Sequence, residues 1–152
     1  MSRAFVRESD DAPDRPVVAR RAAPLPPGVD NYITGAGAQR LRDELIRLTA
    51  LPRPRPAGIE EQLRQIQNSL QTAVVVPPPA SRDGAVRFGA TVTVRDSAGE
   101  ISYRIVGVDE ADPDRNWISW VAPVAKVLLT GRVGQRLRFR DAELEIIRVT
   151  YD

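Results

Sequence analysis

Three prolines at alternate positions, in Leu51-Pro52-Arg53-Pro54-Arg55-Pro56-Ala57-Gly58, interrupt a stretch that otherwise reads as helix. Each proline removes a backbone donor and disfavours helical geometry at the residue before it, so no helix can run through this segment. On its N-terminal side Ala38, Leu41, Leu45 and Leu48 recur at helical spacing, with Thr34 placed as an N-cap. On its C-terminal side Ile59, Leu63, Ile66 and Leu70 do the same, with Glu60 and Glu61 in the first turn. Two apolar stripes joined by a tight break predict an antiparallel helical hairpin packed in the coiled-coil manner. Arms of about 15 residues are marginal alone in water, so they must pack on each other or on something else.

Beyond Pro77-Pro78-Pro79, a stiff spacer, the period changes to two. Phe88–Val94 alternates, Ser97-Ala98-Gly99 makes a turn, and Ile101–Val106 returns. Asp112-Pro113-Asp114 marks a loop before Trp117–Trp120. Pro123 suits the first turn of a short helix, Val124–Leu129, which Gly131 ends. Gln135–Arg140 and Glu143–Val149 complete the pattern. The expected fold is α+β: a short antiparallel helical hairpin, then a small domain of about five antiparallel strands and one short helix. Before the hairpin, five prolines, many charges and few large apolar side chains predict a disordered tail over residues 1–32. Within it Phe5 and Val6 offer a small apolar anchor. The boundaries read 33–76 for the hairpin, 77–82 for a linker and 83–152 for the C-terminal domain.

Cysteine and histidine are both absent. Disulfides, thiolate chemistry, Cys/His zinc sites and Ser-His nucleophiles are thereby excluded. The net charge is +2 and the 22 basic residues, all Arg except Lys126, are spread along the chain. That is not the basic block that non-specific DNA binding needs. No signal-peptide pattern and no membrane-length apolar run occurs, so a cytoplasmic location is the default expectation.

The C-terminal stretches Val86–Val94, Tyr103–Asp112, Ile118–Leu129 and Gly131–Gly134 resemble, in order and spacing, the C-terminal domain of the Gre family of bacterial transcription elongation factors. Thr34–Gly37 leading into Leu41–Leu45 is similar to the start of that family's coiled coil. The resemblance implies an FKBP-like domain that docks on the rim of the RNA polymerase secondary channel. It also implies a coiled coil whose acidic tip, in true cleavage factors, helps hold a catalytic Mg²⁺ ion. This chain departs from that pattern twice. Its arms are short, and no acid occurs between Leu48 and Glu60, where Arg53 and Arg55 stand instead. Cations repel Mg²⁺, a hard ion that prefers oxygen ligands, so no catalytic residue and no metal or other cofactor is expected. A smaller departure is Ala122, where the family commonly has Ser before the proline; Ser119 is a substitute cap.

The resemblance assigns polymerase contacts to Asp109, Glu110, Ser119, Trp120, Pro123, Val124 and Lys126. Asp109, Glu110, Asp112 and Asp114 lack the spacing of a calcium loop and read as solvated or rim-contacting. Trp117 and Trp120, three apart in a strand, point to opposite faces, one to the core and one outward as an interface anchor. Arg136, Arg138 and Arg140 share a strand face and read as paired with Glu143 and Glu145 rather than as a nucleic-acid surface. The expected function is that of a non-catalytic regulator of elongation that competes with cleavage factors. Any nucleic-acid contact is weak and made through the polymerase complex. The alternative is an FKBP-like interaction module or prolyl isomerase with another partner.

Overall fold

The computed structural model describes residues 25–151. Phe5, Val6 and most of the expected tail lie outside the described residues. Strand β1 (Asn31–Ile33) leads into helix α1 (Gly35–Thr49), and helix α2 (Ile59–Thr72) returns to strand β2 (Ala73–Val75). Thr34 caps α1 as the sequence predicts, its hydroxyl accepting from the Gly37 N–H. Leu48, Leu63 and Ile66 are buried between the helices, flanked by Leu41, Leu45, Leu51, Ile59 and Leu70. All seven leucines and isoleucines of the two predicted stripes therefore meet at one seam.

The two short strands were not legible as strands. Asn31 and Tyr32, assigned to the tail by their position, instead form β1 and pair in parallel with β2, Asn31 opposite Ala73 and Ile33 opposite Val75. The Asn31 side chain reaches across to the Ser69 carbonyl and the Thr72 hydroxyl, taking up acceptors at the end of α2. The Val76 N–H donates to the Ile33 carbonyl, closing the root of the hairpin.

The C-terminal domain is a five-stranded sheet in the order β5-β4-β3-β7-β6, from β3 (Thr91–Asp96), β4 (Gly99–Val106), β5 (Trp117–Ser119), β6 (Arg136–Phe139) and β7 (Ala142–Thr150). Five strands and one short helix, α3 (Pro123–Leu128), match the expectation. One pairing differs: β5 runs parallel to β4, because two short 3₁₀ turns, Val108–Glu110 and Pro113–Arg115, carry the chain back before β5 begins. Val92, Val94, Ile105, Leu144 and Ile146 pack on Ala125 and Leu128 of α3. Fully burying each larger aliphatic side chain contributes roughly 1.5–3 kcal/mol. A register shift at Thr93/Val94 explains why the inward residues of β7 run Leu144, Ile146, Val149: a bulge absorbs one residue and restores the inward face.

Candidate functional site

Two contacts at the root of the hairpin join it to the C-terminal domain. The first is aromatic: the Tyr32 ring lies 4.9 Å from Trp120 and 6.1 Å from Phe88, centroid to centroid. The second is polar and centres on Glu110. Its carboxylate accepts from the Thr34 N–H at 3.0 Å, the Gly107 N–H at 2.8 Å and the Thr34 hydroxyl. The Arg40 guanidinium approaches it at 3.4 Å. The Glu110 side chain is only 3% exposed.

This overturns the solvated-loop reading for Glu110. A buried carboxylate holding three donors cannot also present itself to a partner, and its role is internal. Ser119 is likewise buried, its hydroxyl accepting from the Val121 N–H at the turn into α3. Ala122, the N-cap of α3, makes no side-chain cap, as its methyl dictates. Trp120 is half-buried against the core and Tyr32, and Val124 also packs inward. Asp109, Pro123 and Lys126 are exposed, and of the seven predicted contacts only these three face solvent freely.

Trp117 takes the outward position. It is half-buried on edge strand β5, and the guanidiniums of Arg104, Arg115 and Arg40 stand 4.9, 5.1 and 5.3 Å from its ring centroid. Such cation–π packing sets one aromatic ring among three cations drawn from a strand, a turn and α1. Arg115 also approaches Asp112 at 3.5 Å. Sequence spacing could reveal the opposition of the two tryptophans but not that Tyr32, 88 positions before Trp120, would cover the second.

At the far end of the hairpin Arg55 folds back. It donates to Glu60 at 2.5 Å and to the Thr49 carbonyl at 3.0 Å, and its side chain is 6% exposed. This hydrogen bond from Arg55 holds the Glu60 carboxyl below its ordinary pKa. Of the two arginines in the turn, Arg53 is the exposed one. On the terminal strands Arg136 lies 3.9 Å from Glu143, as cross-strand pairing predicts, whereas Glu145 faces Arg95 of β3 at 3.8 Å and Arg140 stacks on the Phe139 ring. Among the described residues no group of three or more acidic side chains is placed to hold a metal ion. No described helix is long and apolar enough to cross a membrane.

The family model described as "Transcription elongation factor, GreA/GreB, C-term" matches residues 81–151. The transcription elongation factor GreB of Neisseria meningitidis serogroup B is 34% identical over 153 residues, covering 80% of this chain and 94% of its own. This chain belongs to the Gre family. GreA of Alkalilimnicola ehrlichii is 31% identical, over 78% of this chain and 96% of its own. A solved structure, the Nitrosomonas europaea factor GreA/GreB, aligns over 81% of this chain and 99% of its own at 27% identity and a TM-score of 0.44. The GreB alignment runs over more positions than 80% of 152 residues can fill, so that Gre factor carries roughly thirty residues without a counterpart here.

Proposed function

We propose that this Gre-family elongation factor docks on RNA polymerase at the secondary-channel rim through its C-terminal domain and modulates elongation without supplying cleavage chemistry. The observation that carries this reading is the hairpin tip. Transcript cleavage by a metal ion at a polymerase needs added carboxylates, because Mg²⁺ takes oxygen ligands. Here the turn offers Arg53, while Glu60 is already engaged by Arg55. Length argues the same way. Fifteen residues of α1 rise about 22 Å at 1.5 Å each. A deficit of roughly thirty residues against GreB is what two arms, each shorter by about 22 Å, would leave.

The docking face proposed on the C-terminal domain comprises Asp109, Pro123 and Lys126, with Trp117 as its aromatic anchor. Trp and Arg are the side chains most enriched among residues that dominate binding energy, and Trp117 stands among three arginines. The test has two arms. Labelled full-length chain is titrated with core RNA polymerase, then challenged with a long-hairpin Gre factor; saturable binding that the competitor displaces is expected. In parallel, stalled backtracked complexes with Mg²⁺ receive the chain, and RNA shortening no faster than the polymerase's own rate is expected. Absence of binding defeats the docking reading, and stimulated shortening defeats the non-catalytic one.

A further inference from the structure

We infer that Glu110 is a positioning residue that locks the hairpin at one fixed direction relative to the C-terminal domain, so that arm and docking face meet a partner as a single rigid body. The chain passes from β1 into α1 at Thr34, in extended geometry at φ −75° and ψ 157°. This junction is where the arm would swing. Glu110, from a 3₁₀ turn of the other domain, holds that residue by both its N–H and its hydroxyl. The same hydroxyl accepts from the Gly37 N–H, so the carboxylate, the cap and the first turn of α1 form one continuous chain of hydrogen bonds. Arg40, one turn further along the arm, approaches the same carboxylate.

Packing at the junction is as specific as the bonding. A methyl group added to Gly37 would fall within the Glu110 carboxyl, and one added to Gly107 would collide with the Tyr32 carbonyl oxygen. The two segments therefore approach more closely than any side chain allows, and glycine at both positions permits it. Tyr32 against Trp120 supplies a second point of contact beside the latch. Two contacts on either side of a junction remove a hinge that one would leave.

The lock is tested on the full chain without any partner, so its failure is distinct from a failure of polymerase binding. The natural sequence has no cysteine, so spin labels at Arg53→Cys and Arg138→Cys report only the distance from hairpin tip to strand β6. A single narrow distribution is expected. Glu110→Ala should broaden it roughly twofold or more while helical circular dichroism is retained, because the junction regains its hinge. Glu110→Gln should restore most of the narrowness, since an amide oxygen in place of Oε2 still accepts from the Thr34 and Gly107 N–H groups. Gly37→Ala should broaden the distribution with Glu110 still present. A wild-type width in Glu110→Ala overturns the inference. If that variant does not fold, a wild-type width in Gly37→Ala overturns it instead.

Discussion

Leu48→Ala puts the hairpin seam to a quantitative test. Leu48 is 1% exposed and sits between Leu63 and Ile66, whereas Ile46, two residues earlier on the same helix, is 68% exposed. Truncation of Leu48 deletes three carbon atoms, about 2.4 kcal/mol of transfer free energy at ~0.8 kcal/mol per methylene. A cavity term adds to this, but the cluster has only three buried members and thin walls, so its neighbours can settle inward. A loss of about 2–3 kcal/mol follows, near the lower end for such substitutions. For a chain of this size that lowers the melting temperature by about 4–12 °C. Ile46→Ala, by contrast, should cost no more than about 0.5 kcal/mol, because the side chain is already in water. Thermal and urea melts followed by circular dichroism at the helical band would compare the two. A loss below about 1 kcal/mol for Leu48→Ala, or an equal loss for Ile46→Ala, refutes the assignment of the seam.

Leu63→Asp should be more damaging than Leu48→Ala, since it buries a carboxylate at the seam at a cost of several kcal/mol; melts that match wild type would show that Leu63 lies outside a core. Pro123→Arg combined with Asp109→Arg should weaken binding to core polymerase at least tenfold in folded protein, measured by titration, since reversing a complementary charge costs a few kcal/mol. Trp117→Ala should weaken the same binding by a similar factor, and unchanged affinity would remove it as the anchor. The Asp83 carboxyl is held at about 2, chiefly by the hydrogen bond from Arg87 and next by the Ala85 N–H. A lowered pKa means that this contact is intact above the ordinary carboxylate range near 4 and is lost as pH falls toward 2. Carboxyl NMR titration should find that low midpoint, and Arg87→Ala should return it toward the ordinary range.

What could be read from the residues alone was local or periodic. The stripes Leu41–Leu48 and Ile59–Leu70 and the Thr34 cap depend on spacings within one or two turns, and each landed where predicted. The sheet strands were legible for the same reason, since Val92, Val94, Ile105 and Ile146 obey alternation. The bond between Thr34 and Glu110 spans 76 positions and joins two segments with no shared period. Glu110 stands among Asp109, Asp112 and Asp114, and a run of acids reads as solvated unless a distant partner is known. The packing of Tyr32 on Trp120 was hidden for the same reason, because Tyr32 comes from the root of the hairpin. Strands β1 and β2 have three residues each, too few for alternation to register. Their pairing depends on the hairpin having already brought its two ends together.

That parallel pairing separates two properties of the arm. Asn31 opposite Ala73 and Ile33 opposite Val75 fix where the excursion leaves the body and where it rejoins. Nothing in this seal counts the residues between. Seven residues added to each helix would extend the reach by about 10 Å while nearly preserving the facing stripes, and the seal would be unaffected. The arm thus works as a telescoping probe on a fixed mount, whose stroke can be lengthened or cut back without rebuilding its base. In this chain the stroke is set short.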